Sequence, residues 1–274
     1  MSHLRTLLMG CALALVTNTV AAQTPNFGGA LWNRGLGPYD PPSTGAGPVQ
    51  NPPDMPFVFR NNRSNYIGDT TNPILQPWAA ERIRAQTQKE LDGHQAGTSQ
   101  QTCRPSGVPG ILYLNDLVQI VQRPDLVIFL YARGHQWRIV HLDAQHPTNL
   151  TPSWYGNSTG RYEGDTLVVD TIGLNDKPWA DRYGTPQTNL MHVVERYRLT
   201  PDPHPPQGQE PKEVLEVQFT ITDPGAFTMP WSALTRYRQA GGTELDEQIC
   251  QENNRELGEE IRPLVPHADY KYPY

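Results

Sequence analysis

The sequence predicts a mainly β protein: an antiparallel up-and-down β-barrel of lipocalin or calycin type, with flanking helices and an irregular N-terminal arm. Three observations predict it. The stretch Gly160–Thr171, G-R-Y-E-G-D-T-L-V-V-D-T, divides into two β-prone halves around Glu163-Gly164-Asp165, as two strands joined by a tight turn. Short β-prone runs recur from Leu117 to Arg238 with links too short for the helical crossovers of a parallel sheet. Leu167-Val168-Val169 is apolar on both faces, which suits a strand closed into a barrel.

In chain order, Arg5 and the apolar run Leu7–Val16 ahead of Ala21-Ala22 read as a signal peptide over residues 1–22, too short to span a bilayer. Residues 23–110 form a Pro/Gly-rich arm with one helix. The arm carries Trp32, Tyr39, Phe57, Phe59 and Tyr66, too many aromatics for a disordered tail, so it is expected to pack on the body. Its helix opens at Pro77, runs to Leu91 and ends at Gly93, following the asymmetry of helix ends.

The barrel is expected over 111–243. Leu117–Gln122, Leu126–Ala132 and Trp137–Asp143 read as strands with hairpin-length links. The central hairpin follows, then Leu190–Leu199, the proline-rich loop Pro201–Pro211, the cleanly alternating Val214–Thr222 and a returning strand Met229–Arg238. A C-terminal helix is expected over 244–258, with the tail to residue 274 packed on the barrel.

The chain has a net charge of −6, which becomes −7 once Arg5 is removed with the leader. No basic stripe exists to neutralise phosphates, so a nucleic-acid partner is excluded, and no later run is apolar and long enough for an integral membrane segment. Removing Cys11 leaves Cys103 and Cys250. In a periplasmic or secreted protein they suggest one disulfide, the alternative being two buried thiols. There is no P-loop, G-x-G-x-x-G, G-x-S-x-G, C-x-x-C or H-E-x-x-H, so the reading assigns no cofactor and no metal.

The candidate chemistry lies on two strands. Alternation puts Trp137, Ile139, His141 and Asp143 on one face of a strand, where an imidazole and a carboxylate can project into one cavity for proton transfer, or end as a solvated surface pair. Adding His146 makes a three-ligand set with no strong metal signature. Alternation also puts Glu195 with Met191, Val193 and Tyr197, a carboxylate fit for acid–base work if buried, or for a cross-strand pair with Arg236. His192 has the opposite parity and points away unless a bulge intervenes. Arg138, Arg161 and Tyr197 are candidates to hold an anionic ligand, and Trp137 and Trp154 to stack on a ring. Arg161 and Glu163 share a face, where ordinary ion pairs are the simpler reading.

From residue 103 to 254 the pattern resembles a family of secreted bacterial proteins that mostly carry no assigned function. The matching pieces are Cys103-x-Pro105, Arg138–Asp143 with His146-Pro147, Trp154–Ser158, the Gly160–Thr171 hairpin, Leu190–Tyr197, Thr222-Asp223-Pro224 and Cys250-x-Glu252-Asn253-Asn254. The resemblance implies export, a calycin-like barrel and pairing of the two cysteines. It implies no mechanism.

Two functions follow as expectations. The first is an exported, cofactor-independent enzyme of lyase, isomerase or cyclase type acting on a small, partly apolar molecule, with His141, Asp143, His192 and Glu195 moving protons. The second is a small-molecule carrier whose polar groups only orient the ligand.

Overall fold

The computed structural model describes residues 24–58, 63–94, 97–205, 207–208, 210–242 and 244–250. Nine strands close into a barrel in sequence order: β1 Leu31–Asn33, β2 Leu117–Gln122, β3 Leu126–Tyr131, β4 Gln136–Leu142, β5 Asn157–Glu163, β6 Thr166–Ile172, β7 His192–Pro201, β8 Glu213–Thr222 and β9 Trp231–Ala240. The predicted strands are present with small shifts at their ends. The ninth, β1, comes from the arm and closes the ring between β2 and β9.

The expectation of purely antiparallel, up-and-down pairing is corrected at one place. β4 and β5 run parallel, and every other neighbouring pair is antiparallel. The reason is parity. An odd ring cannot alternate direction all the way round, so nine strands require a neighbouring pair that points the same way. The 14 residues between β4 and β5 supply the return without a helix.

The central hairpin forms as its residues dictate. Glu163 pairs with Thr166 across a two-residue turn, where Gly164 sits at φ 63°, a conformation glycine adopts at no steric cost. Leu167, Val168 and Val169 are all buried, which explains why that strand is apolar on both faces. Inside the ring lie Val127, Phe129, Val140, Val193, Tyr197, Val217, Phe219 and Trp231, all at most 2% exposed. Trp231 packs edge-on against Phe219 and Phe227 and fills that part of the core.

The arm packs on the body, with Phe27, Trp32, Tyr39 and Ile74 buried and Tyr39 edge-on to Phe219. Arg34 enters the same region, donating to Thr235 Oγ1 and to four backbone carbonyls. Helix α1 spans Pro77–Leu91 and a one-turn helix α2 spans Ser99–Thr102, closed by a Thr98–Gln101 capping box. Ala79 and Ile83 are the apolar residues that α1 buries, whereas Trp78 and Leu91 are exposed.

Cys103 and Cys250 pair, with their Cα atoms 5.5 Å apart. The helix expected from residue 244 is absent across the described part, 244–250. There the chain is held by outside partners instead: Gln248 bridges to Arg133 and accepts from Gly134 N, and Cys250 is tied to Cys103. Those contacts override the local helical preference. The rest of that expected helix and the tail, like the leader 1–22, lie outside the described residues.

Candidate functional site: a buried ion pair and a gap in the barrel wall

Arg138 on β4 and Glu195 on β7 point inward and meet at the centre of the ring. Their side chains are 1% and 0% exposed. The contact is bidentate: Arg138 Nη1 donates to Glu195 Oε1 at 2.9 Å and Nη2 donates to Oε2. Arg138 Nε also donates to Ser158 Oγ at 3.0 Å and Nη2 to Thr171 Oγ1 at 2.6 Å, while Tyr197 Oη donates to Glu195 Oε1 at 2.6 Å.

Burial by itself lowers the guanidinium pKa. The charge and hydrogen bonds of Glu195 outweigh that effect, so Arg138 stays cationic with a pKa above its ordinary value. Burial, and then the nearby Glu195 charge, push the Tyr197 hydroxyl well up. Phe129 covers the pair from β3, with the Arg138 guanidinium 5.9 Å from its ring centre. Three hydrogen bonds engage the Glu195 carboxylate and its side chain is 0% exposed, so the cluster behaves as a polar rivet through the core.

The four residues expected to share proton transfer are not brought together. Glu195 is inside. His141 and Asp143 are exposed, and Trp137 is 60% exposed, so the Trp137–Asp143 face lies on the outer wall and not in the barrel interior. The parity argument located the face correctly as a unit and could not say which side was inward; the inward set is Arg138 and Val140. Asp143 lies just past the strand at φ 51°. Arg236, the arginine expected to pair with Glu195, instead pairs with Glu216 and Asp40 on the outside. Arg161 forms a surface pair with Glu163, which Arg196 also engages.

His192 is outside the ring as its parity requires, and it joins a cluster the sequence reading did not assemble. Asp170 Oδ1 sits 3.0 Å from His192 Nε2 and 3.0 Å from His146 Nε2, and His146 Nδ1 lies 2.7 Å from Asn157 Oδ1. His146 is thereby drawn away from His141 and Asp143. The signal was available in register: Asp170 and His192 both have outward parity on adjacent strands. Among the described residues no group of three or more histidines, cysteines, aspartates and glutamates is placed to hold a metal ion. The cluster anchors the 143–156 connection to β6 and β7.

That anchoring shapes a gap in the wall. β4 and β5 share only three registered pairs, Val140–Ser158, His141–Thr159 and Leu142–Gly160, against six between β3 and β4. Before residue 157 the backbone turns elsewhere: Ser153 N donates to Gly173 O, Asn175 N donates to Ser153 O, and Val108 N donates to Trp154 O. With those groups committed, the first half of β4 has no registered strand partner on that side among the described residues. A groove of about 490 Å³ occupies the gap, lined from β4 by Trp137, Ile139 and His141 and from across by Trp154, Tyr155 and Asn157. Arg138 and Ser158 also border it, which sets the buried ion pair just behind the groove. Gln136 bridges the two sides, accepting from Tyr155 Oη and from Ser106 N.

Comparison with protein-family models, with curated proteins and with solved structures found no match.

Proposed function

We propose that this chain is an exported small-molecule-binding barrel whose ligand lies in the gap between β4 and the 153–158 segment. The observation that carries the reading is Trp137, a large apolar side chain 60% exposed on the lip of a groove that also presents Trp154 and Tyr155. A tryptophan left in water forfeits the burial energy it would gain elsewhere, and a ring or apolar ligand between it and Trp154 recovers that energy. His141 and Asn157 provide a few polar contacts to orient the ligand, in the usual manner of binding clefts. Export is supported by the apolar leader and by the cysteine pair, which suits an oxidising compartment.

The acid–base enzyme is the second reading. Within the groove it retains His141 as a proton carrier, but Asp143 does not line the groove, Glu195 is sealed in the core and His192 is bound to Asp170. Binding therefore ranks first.

Titration with the neutral fluorophore N-phenyl-1-naphthylamine tests the assignment. The intact chain is expected to bind it, and Trp137→Ala to weaken binding about five- to a hundredfold, since a lost aromatic contact is worth roughly 1–3 kcal/mol. Equal affinity for Trp137→Ala and the parent would remove the groove from consideration.

A further inference from the structure

We propose that a second cavity, enclosed by α1, the α2 turn and the 177–184 loop, binds a small organic polyanion that carries a flat ring. This cavity measures about 430 Å³, within the range of ligand clefts. It is distinct from the groove above and needs no part of that assignment, although Pro105 and Trp154 lie between the two and border both.

Charge is the first argument. The chain as a whole is acidic, yet this cavity is lined by Arg82 and Lys89 from α1, Arg104 beside the disulfide, and Lys177 from the distant loop. Among the described residues no aspartate or glutamate lines it. Among the described residues none of these four cations is in an ion pair, whereas Arg133, Arg138, Arg196, Arg198, Arg236 and Arg238 all are. Solitary cations on a surface are ordinary. Four that converge from three segments on one concavity, in a protein with carboxylates to spare, repel one another and create a positive field focused where a ligand fits.

The walls give the second argument. Tyr113, Trp154 and Trp179 line the cavity, and Lys177 Nζ lies 5.9 Å from the Trp154 ring centre. Hydroxyls are set among them: Ser99 Oγ and Ser106 Oγ are 2.7 Å apart, and Ser106 is only 3% exposed. Aromatic faces take the flat side of a ring, hydroxyls donate to acid oxygens, and cations at the mouth neutralise them. Inorganic anions use only the last two of these features.

The site is also preformed. Gly107 packs so closely on Pro178 and Gly110 on the Trp179 carbonyl that a Cβ on Gly110 would come within 2.6 Å of that oxygen. Gly184 faces Gln86 of α1 at φ 79°, and the Cys103–Cys250 link fixes the chain next to Arg104. The backbone therefore needs little ordering on binding, and the main ordering cost falls on the four exposed cations.

Isothermal titration of the full chain with benzene-1,3,5-tricarboxylate at low ionic strength tests the proposal. Inorganic phosphate and the neutral benzene-1,3,5-trimethanol serve as comparison probes. The tricarboxylate is expected to bind at least about tenfold more tightly than either, with an affinity that falls as salt rises. Arg104→Glu and Lys177→Glu, both at exposed positions, are each expected to cost about tenfold or more, with thermal unfolding unchanged. Trp137→Ala is expected to leave this affinity intact, which separates this cavity from the groove. The triol binding as well as the tricarboxylate would overturn the charge argument, and phosphate binding as well would overturn the ring argument. Indifference to both charge reversals would overturn the site.

Discussion

Asp181 shows how a single buried carboxylate connects sequence to stability. It is 2% exposed and accepts hydrogen bonds from the backbone of Tyr183 and Thr185 and from the Thr185 hydroxyl. Burial nevertheless dominates and raises its pKa from 3.8 to about 6. A carboxyl that holds its proton more firmly in the fold than in the unfolded chain favours the fold most below about pH 4. That contribution is lost as pH climbs through about 6. Asp181→Asn, which keeps an acceptor oxygen and carries no charge, is therefore expected to be more stable than the parent at pH 7–8. The gain, on the order of 1–3 kcal/mol, should vanish near pH 4, as read from denaturant midpoints across pH. The Arg138–Glu195 pair is the opposite case, since each charge compensates the other and removal of one alone would strand its partner in the core. Residue identity gave notice of Glu195, whose apolar neighbours marked it for burial. Nothing local marked Arg138 as its partner, because the pair is 57 residues apart and spans the ring.

Among the elements, the β4–β5 seam carries the most consequence. Gly160 allows its close approach: a Cβ there would meet Val140 Cγ1 at 2.6 Å and the Val168 carbonyl at 3.3 Å. Val140 is fully buried and Val168 backbone is fixed in the hairpin, so neither gives way without cost. Gly160→Ala is expected to destabilise the fold by about 1–3 kcal/mol, with Val140→Ala in the same chain recovering part of the loss; paired denaturant titrations read both. Element types were legible wherever alternation or caps were strong, as in α1, the central hairpin and Val214–Thr222. β1 was not legible, because three residues among prolines and glycines carry no periodicity and become a strand only by pairing with β2 and β9. The parallel seam was equally hidden, since short spacing favours hairpins and strand parity becomes visible only once β1 is counted. Of the candidate site, the Trp137–His141 face was found, but alternation alone could not decide inside from outside.

For the whole molecule, the cysteine link joins positions 147 residues apart and so encloses nearly all of the barrel. In the chain-entropy description a loop of that length contributes about 5 kcal/mol by restricting the unfolded chain. Cys103→Ser/Cys250→Ser is expected to lower the denaturant midpoint by a corresponding amount while retaining the β-rich circular dichroism of the parent; an unchanged midpoint would show that the link does not constrain the unfolded chain. Arg104 follows Cys103 directly, so the same variant should also loosen the anion cavity.

A ring of nine staves has one joint that runs differently from the rest. Eight of its joints are antiparallel, and the parallel joint adjoins the groove that Arg138 and Ser158 border. A molecule lodged in the groove, touching Trp137 on one side and Trp154 on the other, would hold that joint closed. Occupancy and tightening of the hoop would then be one event, so a guest would be sensed by the body of the protein without any hinge or lid.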